Sequence, residues 1–570
     1  MPRQLHFSQD ENDSINFELQ LFLKKGVIQL SSHEPGEFIS NIFPRPKKNN
    51  RSRIILDLSV LNLEVTYIHF KMESIHTAAA LMMKGCFMGS VDLSDAYYTI
   101  PIRQEDRKLL KFIWENKLYQ YTCLPNGLAQ APRNFTRILK PVFAYLATKG
   151  VIAFGYIDDT FVMGCSFQEC ERGILLLKDI LERLGFFINV EKSVFTPATK
   201  IEFLGFILDS ENMTIIPTQN KKEKTITMIS SLLAQRRPKI RQVAKVVGTC
   251  ISNTVGSDYG GNYIKILEID KIQALAKRRG NYDAHMTISD RAKNDIHWWI
   301  INMDSTIRHI RQEPPSVEIL TDASNLGWGA TYNGKSAQST WSIKESAKHI
   351  NVKELMGALF GLKSFFTHSK QLFINCRIDN TTAVSYINKQ GGTKSWECLM
   401  VAKEIWSFCE ERQIYVIATH IPGVMNEEAD RLSRKFNEFT EWALPEKVFR
   451  DITHGLTIDI DLFATRLNHK CKKYVSWHAD PGAWKIDAFS FKWSKYFTYV
   501  FPPFALIARV VTKMECEAAK GMLVTPTWTT QPWWGLLIQL HKPRKDLGQV
   551  SLRNDVTGEP WTIPLSVWQM

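Results

Sequence analysis

Two adjacent aspartates, Asp158 and Asp159, lie between two apolar stretches of β-type sequence and constrain the fold of this chain more than any other feature. Residues 151–157 and 160–164 predict two strands joined by a short turn. At the tip of such a hairpin, a tight turn lets both carboxylates approach one site. Acidic pairs in hairpin turns are common and usually only solvated, so the pair does not predict a function by itself.

A third aspartate, Asp92, ends another predicted strand at residues 87–93 and can complete a group of three carboxylates. Negatively charged oxygen ligands suit hard divalent cations such as magnesium. Clustered aspartates are therefore the ligands expected for a pair of divalent cations roughly 4 Å apart.

The composition favours a folded, multidomain protein with a polyanionic partner. The chain has 570 residues, of which 44% are hydrophobic and 23% charged, and its net charge is +13. This length predicts three or four domains. The positive charge favours nucleic acid, with an anionic membrane surface as the second candidate.

The cysteines and the apolar stretches indicate where such a chain would work. Ten cysteines are scattered without a Cys-x-x-Cys pair, and no secretory signal opens the sequence. This pattern predicts a reduced intracellular setting, in the cytoplasm, the nucleus or both. The longest apolar stretch, residues 142–163, contains Lys149, Asp158 and Asp159 and does not predict a membrane span.

A second group of acids occurs beyond Pro314-Pro315, a predicted domain boundary. Its members are Asp322 on a strand, Glu354 on a helix, Asp379 closing a strand, His420 in a loop and Asp430 on a final helix. The predicted helix at 352–366 carries an apolar stripe at positions 352, 355, 359, 362 and 366. An acid beside such a face is costly unless it is paired or bound to metal, so the group predicts a second two-metal site.

Several separated blocks in the first 210 residues resemble reverse transcriptases, in the order found in that family. They are Arg53-Ile54-Ile55-Leu56-Asp57-Leu58, Val91-Asp92-Leu93-Ser94-Asp95-Ala96-Tyr97-Tyr98, Leu124-Pro125-Asn126-Gly127-Leu128, Tyr156-Ile157-Asp158-Asp159 and Phe203-Leu204-Gly205-Phe206. Chance matching in this order is improbable. The resemblance implies a DNA polymerase that copies RNA and DNA templates.

The resemblance also implies roles for individual residues. Asp92, Asp158 and Asp159 would hold two Mg²⁺ or Mn²⁺ ions. The residues implied in substrate binding are Arg53 with Lys47 or Lys48 on the incoming deoxynucleoside triphosphate, Tyr97 as the gate against a ribose 2′ hydroxyl, Asn126 in the nucleotide pocket, and Lys192 near the pyrophosphate leaving group. Asn126 departs from the Gln or Phe usual in the family. The basic segment after residue 217 would hold the duplex as a thumb, through Lys221, Lys222, Lys224, Arg236, Arg237, Lys239 and Arg241.

The second acidic group resembles the RNase H fold. Its blocks are Leu320-Thr321-Asp322-Ala323-Ser324, Lys353-Glu354-Leu355, Arg377-Ile378-Asp379-Asn380 and His420-Ile421-Pro422-Gly423 followed by Ala429-Asp430. The resemblance implies that the four acids hold two further divalent ions and that His420 assists proton transfer or product release. The substrate would be the RNA strand of an RNA–DNA hybrid.

Residues 457–540 resemble the region that follows RNase H in DIRS-like retrotransposons, which has been compared with adenine methyltransferases. Such enzymes place Asp or Asn before Pro-Pro-aromatic, whereas this chain has Phe501 there, and Phe501 cannot accept a hydrogen bond. A degenerate, methyltransferase-like remnant is therefore expected. The DIRS-like assignment also implies a tyrosine recombinase, encoded by the same element, as a partner.

Together these resemblances imply a multidomain α/β and α+β chain. The expected ranges are 1–216 for the fingers and palm of a right-hand polymerase, 217–313 for a basic helical thumb and connection, 314–436 for an RNase H-like α/β domain, and 437–570 for the C-terminal region. The expected partners are an RNA template, a DNA primer, the RNA–DNA hybrid and deoxynucleoside triphosphates, with no membrane. Two alternatives stay open: a catalytically silent nucleic-acid-binding protein of retroelement origin, and a C-terminal region that still binds a methyl donor.

Overall fold

The computed structural model describes residues 6–46, 52–66, 68–436, 442–541, 543–554 and 557–570. The chain divides into two compact units: 1–228, 252–258 and 301–311 form the first, and 229–251, 259–300 and 312–570 form the second. Parts of the 217–313 segment belong to each of the two units. The four expected domain ranges stay a prediction. Among the described residues, no helix is both long enough and apolar enough to cross a bilayer.

The first unit is built from helices and small sheets in which most strand pairs are antiparallel. Its helices are α1 (Gln9–Lys24), α2 (Leu61–Glu64), α3 (Ile75–Leu81), α4 (Ala131–Thr148), α5 (Phe167–Arg183) and the start of α6 (Gln219–Leu233). Its strands are β1 (Ile28–Leu30), β2 (Ile39–Ser40), β3 (Ile42–Pro46), β4 (Ser52–Leu56), β5 (Phe87–Ser94), β6 (Lys111–Trp114), β7 (Lys117–Tyr121), β8 (Ile152–Tyr156), β9 (Asp159–Gly164), β10 (Phe187–Ala198), β11 (Lys200–Phe203), β12 (Phe206–Asp209), β13 (Thr214–Pro217) and β14 (Arg308–His309).

The central sheet of this unit has the strand order β10-β5-β9-β8 and supports the first acidic group. Helices α4 and α5 cover it, and their apolar faces bury Phe135, Leu139, Ile174 and Leu177 in one core with Val91 of the sheet. Helix α5 begins after the N-cap Ser166, whose hydroxyl accepts from the backbone of Glu169. It ends before Gly185, whose φ of +84° suits a glycine cap.

The second unit contains two mixed sheets. Its helices are α7 (Ile240–Asn253, in large part), α8 (Lys265–Lys277), α9 (Asp290–Asn302, in large part), α10 (Ile343–Ser346), α11 (Ile350–Phe366), α12 (Thr381–Asn388), α13 (Trp396–Glu411), α14 (Glu427–Arg434), α15 (Glu446–Thr453), α16 (Ile507–Glu517) and α17 (Pro532–Leu540). Its strands are β15 (Val317–Ala323), β16 (Gly327–Tyr332), β17 (Lys335–Thr340), β18 (Phe373–Ile378), β19 (Tyr415–His420), β20 (Trp442–Ala443), β21 (Ile460–Asp461), β22 (Val475–Ser476), β23 (Lys485–Ile486), β24 (Phe497–Val500), β25 (Lys520–Pro526), β26 (Pro543–Asn554) and β27 (Pro560–Gln569).

The five-stranded sheet, in the order β17-β16-β15-β18-β19, supports the second acidic group. Helix α11 lies against β15 and β16 and also contacts α13. Every residue from 352 to 362 is therefore buried, whereas the sequence pattern predicted a single apolar stripe. A second sheet, in the order β20-β26-β27-β25-β24-β21, organises the C-terminal region, where the sequence showed no clear period.

Gly127 fixes the turn that follows Asn126 against strand β4. Its φ is +118°, and a Cβ there would lie 2.2 Å from the carbonyl oxygen of Leu56. We expect Gly127→Ala to lower the free energy of unfolding of the first unit by about 2–4 kcal/mol, because it adds backbone strain to a clash with backbone. Thermal and denaturant unfolding of the full chain would measure the loss.

Gly150→Ala is the matched control for this substitution. Gly150 also has a positive φ, +73°, but nothing lies within 4 Å of its Cβ position. Only the left-handed backbone term, about 1–2 kcal/mol, applies there. Equal losses for the two variants would show that the contact with Leu56 does not matter.

Candidate functional site

The acidic pair lies at the tip of the β8–β9 hairpin, as the sequence predicted. Tyr156 pairs with Asp159, so the loop consists of Ile157 and Asp158 alone. Ile157 has a φ of +56°, which is uncommon for a β-branched residue. This tight loop directs Asp158 back toward the sheet. There the backbone carbonyl of Asp158 accepts a hydrogen bond from the backbone N–H of Leu93 at 2.9 Å. Strained backbone of this kind is concentrated at functional sites.

Asp92 reaches the same place from the neighbouring strand. On the β5–β9 ladder Asp92 is the direct partner of Asp159, so their carboxyl groups lie close enough to interact electrostatically. On its other side Asp92 pairs with Asn189 of β10, and its backbone N–H donates to the Ser193 hydroxyl at 3.0 Å. Asp92 is buried, with 6% of its surface exposed. Three carboxylates therefore converge from two adjacent strands.

Burial and mutual repulsion make this group costly to ionise. Burial raises the pKa of Asp159 to about 7, and the charges of Asp158 and Asp92 add to the effect. Burial and the charge of Asp92 also raise the pKa of Asp158, while Lys192 and Arg53 oppose the rise. Lys192 Nζ lies 3.8 Å from Asp92 Oδ1 on an exposed side chain. Raised carboxylate pKa values in a shared site are typical of a site that binds cations.

A cavity of about 210 Å³ adjoins the acids. Arg53, Tyr97, Asn126 and Asp158 all line it, so the structure brings four predicted residues together. Tyr97 packs edge-on against Phe135 with ring centroids 5.5 Å apart. Arg53 lies on β4, opposite Arg45 of the antiparallel strand β3. Lys47 and Lys48 lie outside the described residues.

Asn126 has a structural partner that the sequence did not reveal. Its side-chain amide donates to the Tyr98 hydroxyl at 2.7 Å. The backbone carbonyl of Asn126 accepts from the backbone N–H of Leu56 at 3.2 Å. A second unpredicted feature of this cavity is the ion pair between Lys25 Nζ and Asp95 Oδ2, at 2.6 Å. These residues are 70 positions apart, and no local sequence signal links them.

The predicted thumb cations are only partly available to a nucleic acid. Lys222 is buried and donates to the carbonyl of Asp304 at 2.7 Å, so its expected phosphate contact is wrong. The Lys221 ammonium lies 4.0 Å from the centre of the Phe206 ring. Arg241 forms a two-point pair with the Asp283 carboxylate. The helical character of 219–253 is confirmed by α6 and α7.

The second acidic group is tighter than the first. One ligand oxygen from each of Asp322, Glu354 and Asp379 lies within 4.8 Å of the others, and within the described ranges no other three acids, histidines or cysteines meet this limit. Asp322 lies on β15, Glu354 on α11 and Asp379 just after β18. Together they line a cavity of about 420 Å³.

Close packing holds these acids in place. Gly357 allows α11 to approach β15, since a Cβ there would lie 3.2 Å from the carbonyl oxygen of Asp322. The Ser433 hydroxyl donates to Asp322 Oδ2 at 2.7 Å, which links the sheet to α14. The Asn426 amide donates to the carbonyl of Thr321 at 3.0 Å. Asn426 and Ser433 extend the predicted set, and their support of the site follows only from the fold.

The chemistry of this group fits a divalent cation. Burial raises the pKa of Glu354 to about 9, with added repulsion from Asp322 and Asp379, and raises that of Asp322 to about 6. Glu354 Oε2 is buried without a hydrogen-bond partner. A buried, unpaired carboxylate oxygen beside two further carboxylates is costly unless a cation neutralises it. The residues present therefore suit a hard metal ion.

His420 and Asp430 lie near the group but outside its tight core. His420 was expected in a loop, which is wrong: it is the last residue of β19, because the ladder to β18 extends to the pair Ile378–His420. That pairing places it beside the end of the strand that leads to Asp379. Asp430 lies on α14, where Arg434 donates to its Oδ1 through Nε at 2.7 Å and Nη2 at 2.6 Å.

The comparisons with known proteins cover different shares of the chain. Residues 46–208 match the family model described as reverse transcriptase (RNA-dependent DNA polymerase). The chain is similar to the Pro-Pol polyprotein of feline foamy virus, with 26% identity over 40% of this chain and 19% of the relative. It is also similar to polyprotein P3 of Commelina yellow mottle virus, with 23% identity over 76% of this chain and 23% of the relative.

A transposon polyprotein and a solved viral structure are also similar to this chain. The transposon Tf2-3 polyprotein of Schizosaccharomyces pombe is 24% identical over 61% of this chain and 25% of the relative. A solved foamy viral protease–reverse transcriptase in complex with double-stranded DNA gives a TM-score of 0.47 at 17% identity, over 77% of this chain and 72% of that chain. The chain spans about a fifth to a quarter of the length of these curated relatives.

The match at 46–208 contains Arg53 of β4 and Asp158, which line one cavity, and Asp92, which pairs with Asp159 beside it. This chain therefore contains a reverse transcriptase domain of the kind found in retroviral and retrotransposon polyproteins.

Proposed function

We propose that the chain is an RNA- and DNA-directed DNA polymerase that also hydrolyses the RNA strand of RNA–DNA hybrids. The observation that carries the polymerase proposal is the cross-strand pair Asp92–Asp159 with Asp158 folded back beside it. The specific observation in favour of hybrid hydrolysis is the cluster of Asp322, Glu354 and Asp379 oxygens within 4.8 Å. Each set of acids would hold Mg²⁺ or Mn²⁺, and Asp430 would contribute to the second set.

The chain's own residues would divide the work of nucleotide addition. Divalent cations, when bound, supply positive charge that neutralises the phosphates and favours deprotonation of the attacking hydroxyl or water. Arg53 would bind the triphosphate through charge-assisted hydrogen bonds from the edge of the cavity. Tyr97 would form the wall beside the sugar. Lys192, close to Asp92, would deliver a proton to the leaving pyrophosphate.

In the second site the protein residues would bind and orient the hybrid. Asp322, Glu354 and Asp379 would keep their carboxylates directed into the cavity through the packing of α11 on β15. His420, exposed at the end of β19, would shuttle a proton or assist release of the cleaved strand.

The test is an assay of the full chain on two substrates. Primed RNA and primed DNA templates with deoxynucleotides should be extended in Mg²⁺, and a labelled RNA strand in a hybrid should be cut. Both activities should vanish with a chelator and return with added Mg²⁺. A well-folded chain that binds template but shows neither activity would instead support a catalytically silent nucleic-acid-binding protein.

Tyr97→Ala should relax the discrimination against ribonucleotides. Removing the ring opens space beside Asp158, where a 2′ hydroxyl would otherwise meet the aromatic edge. We expect the ratio of kcat/KM for a deoxynucleotide to that for the matching ribonucleotide to fall by at least about tenfold, or about 1.4 kcal/mol. Tyr97→Phe is the control, because it keeps the ring, and its ratio should stay near that of the parent. Unchanged discrimination in Tyr97→Ala would remove Tyr97 from this role.

The finer assignment that we propose is a DIRS-like retrotransposon origin. The mixed C-terminal sheet would be its methyltransferase-like remnant, with Phe501 directly after β24. Under this assignment the chain works inside the cell, in the cytoplasm or nucleus, with a tyrosine recombinase from the same element. A neighbouring recombinase reading frame would support the assignment, and an integrase frame in its place would oppose it. Calorimetry that detected specific binding of a methyl donor would revive the C-terminal methyltransferase alternative.

A further inference from the structure

The segment 466–496 of the C-terminal region directs its acids inward and its lysines outward. It contains seven lysines and arginines but only two acids, Asp480 and Asp487. Asp480 is buried, where its Oδ1 accepts from the backbone of Arg466 at 3.0 Å and from the Tyr474 hydroxyl at 2.6 Å. Asp487 accepts from the backbone of Phe489 at 2.9 Å. Both acids therefore support the local fold rather than neutralise the surface.

Five of the seven basic residues remain on the outside. Arg466 pairs with Glu345 at 2.7 Å, and Lys470 lies 3.6 Å from Glu446. The remaining five are exposed: Lys472, Lys473, Lys485, Lys492 and Lys495. In the part of the chain that the structure describes, no carboxylate lies within 4.0 Å of any of these five lysines. This part of the surface therefore carries a net positive charge.

Aromatic rings lie among these lysines. The Lys473 and Lys485 ammonium groups lie 5.4 and 4.8 Å from the centre of the same Trp484 ring, and Lys485 also lies 4.7 Å from the Phe491 ring. Two like charges near one indole repel each other, and a bound anion would relieve that repulsion. Trp477 extends the group: 56% of it is exposed, and it follows Ser476, which pairs with Ile486 next to Lys485.

Strand pairing and backbone hydrogen bonds hold these lysines and aromatic rings in place. Strands β22 and β23 pair in parallel, and the Trp484 backbone donates to the carbonyl of Tyr474 at 2.8 Å. Deeper in the fold, Asp461 accepts from the backbone of Lys470 at 2.9 Å, which ties the start of the segment to β21. A fixed array of lysines and rings binds an extended ligand with less loss of conformational freedom than a mobile loop would.

We propose that Lys473, Trp477, Trp484, Lys485 and Phe491 form a lysine–tryptophan surface that binds single-stranded nucleic acid. The lysines contact phosphates, and the exposed Trp477 indole stacks on an unpaired base. This combination is how sequence-tolerant single-strand sites are built, because every base has a flat face and every nucleotide a phosphate.

Single strands fit better than the other polyanions. In duplexes the bases are already stacked on one another, so an exposed indole gains nothing from them. Peripheral membrane binding uses an amphipathic helix with a broad apolar face, whereas this surface consists of short strands and turns with isolated apolar residues, Trp477 and Ile486. The surface shares no residue with the linings of the two acidic cavities, and it would bind a template or product strand.

The test uses the full chain and a fluorescently labelled oligothymidylate, with excess unlabelled blunt-ended DNA duplex present to occupy the polymerase cleft. Lys473→Gln combined with Lys485→Gln should weaken binding about tenfold and reduce the slope of log affinity against log salt by about 1.4. Trp477→Ala should weaken binding about tenfold as well, and Trp477→Phe should restore most of it.

The matched control is Lys520→Gln combined with Lys545→Gln. These exposed lysines belong to the same region but not to the lysine–tryptophan surface, and the net change in charge is the same. Thermal unfolding confirms that each variant is folded. Photo-crosslinking of a bromouridine-substituted strand should mark the peptide that contains Trp477. The proposal is overturned if the surface variants bind the strand as the control does, or if they lose binding only to vesicles containing phosphatidylserine.

Discussion

Replacing Asp158 by Asn should lower the rate of primer extension by about three orders of magnitude. Asp158 lies in the two-residue loop of the β8–β9 hairpin, and its charge acts on both Asp159 and Tyr97. Asn keeps the size of the side chain but removes the charge that would hold a divalent cation. A loss of about 4 kcal/mol of transition-state stabilisation corresponds to this factor. Single-turnover extension of a primed RNA template in Mg²⁺ measures it.

Two controls make the result specific. Asp179→Asn makes the same change in charge on the exposed face of α5, where Asp179 only pairs with Arg183 at 3.2 Å, and should extend primers at the parent rate. Hybrid cleavage by Asp158→Asn should also match the parent, since the second acidic group lies in the other unit. Template affinity should not fall, because the variant is less negative. Parent-like extension would remove Asp158 from the catalytic group.

Much of the first site follows from local sequence rules. Apolar strands around an acidic turn predicted the β8–β9 hairpin, and Asp92 at the end of β5 fell where expected. Short apolar runs bounded by turn residues are typical of buried strands, so such elements can be found without a fold. The sequence could not supply the register that makes Asp92 and Asp159 direct partners, since this depends on how two distant strands align.

Long-range contacts account for most of what the sequence missed. The bond from Asn126 to Tyr98 explains how an unusual residue is accommodated in the nucleotide pocket, and only the folded chain shows it. Lys222 appeared to be one more cation in a basic helix, but its helix turns that residue toward the carbonyl of Asp304. Charge counts along a sequence do not distinguish a solvated lysine from a buried one.

In the second site, too, the elements follow from the sequence, whereas the contacts between them follow only from the fold. Each acid could be assigned to an element from pattern alone, yet the tight meeting of Asp322, Glu354 and Asp379 depends on Gly357 and on the burial of α11 on two sides. Helix α11 is apolar on nearly every side, so the spacing of its apolar residues did not show that it packs against α13 as well as against the sheet. Asp430 pairs with Arg434 one helical turn away, a spacing that the sequence shows, but only the fold shows that Asp430 lies outside the tight group of three acids.

Glu354→Gln should abolish hybrid cleavage while leaving the chain more stable. Glu354 is 5% exposed, and its Oε2 has no hydrogen-bond partner. Cleavage of the labelled RNA strand should fall by about three orders of magnitude, because a neutral amide is a poor ligand for a divalent cation. Primer extension should stay at the parent level. Glu428→Gln, an exposed change of the same charge on α14, should leave both activities unchanged.

The pH dependence of stability distinguishes a metal ligand at Glu354 from a residue that only supports the fold. Burial raises the pKa of Glu354 to about 9, so in metal-free protein the folded state keeps a proton that the unfolded chain releases above its own pKa near 4.5. The contribution of this group to stability therefore falls as pH rises between those two values. In a chelator, the Tm of the parent should fall more steeply from pH 5 to pH 9 than that of Glu354→Gln. A variant that lost both stability and cleavage would show that Glu354 supports the fold of the domain, and its loss of cleavage would no longer identify a metal ligand.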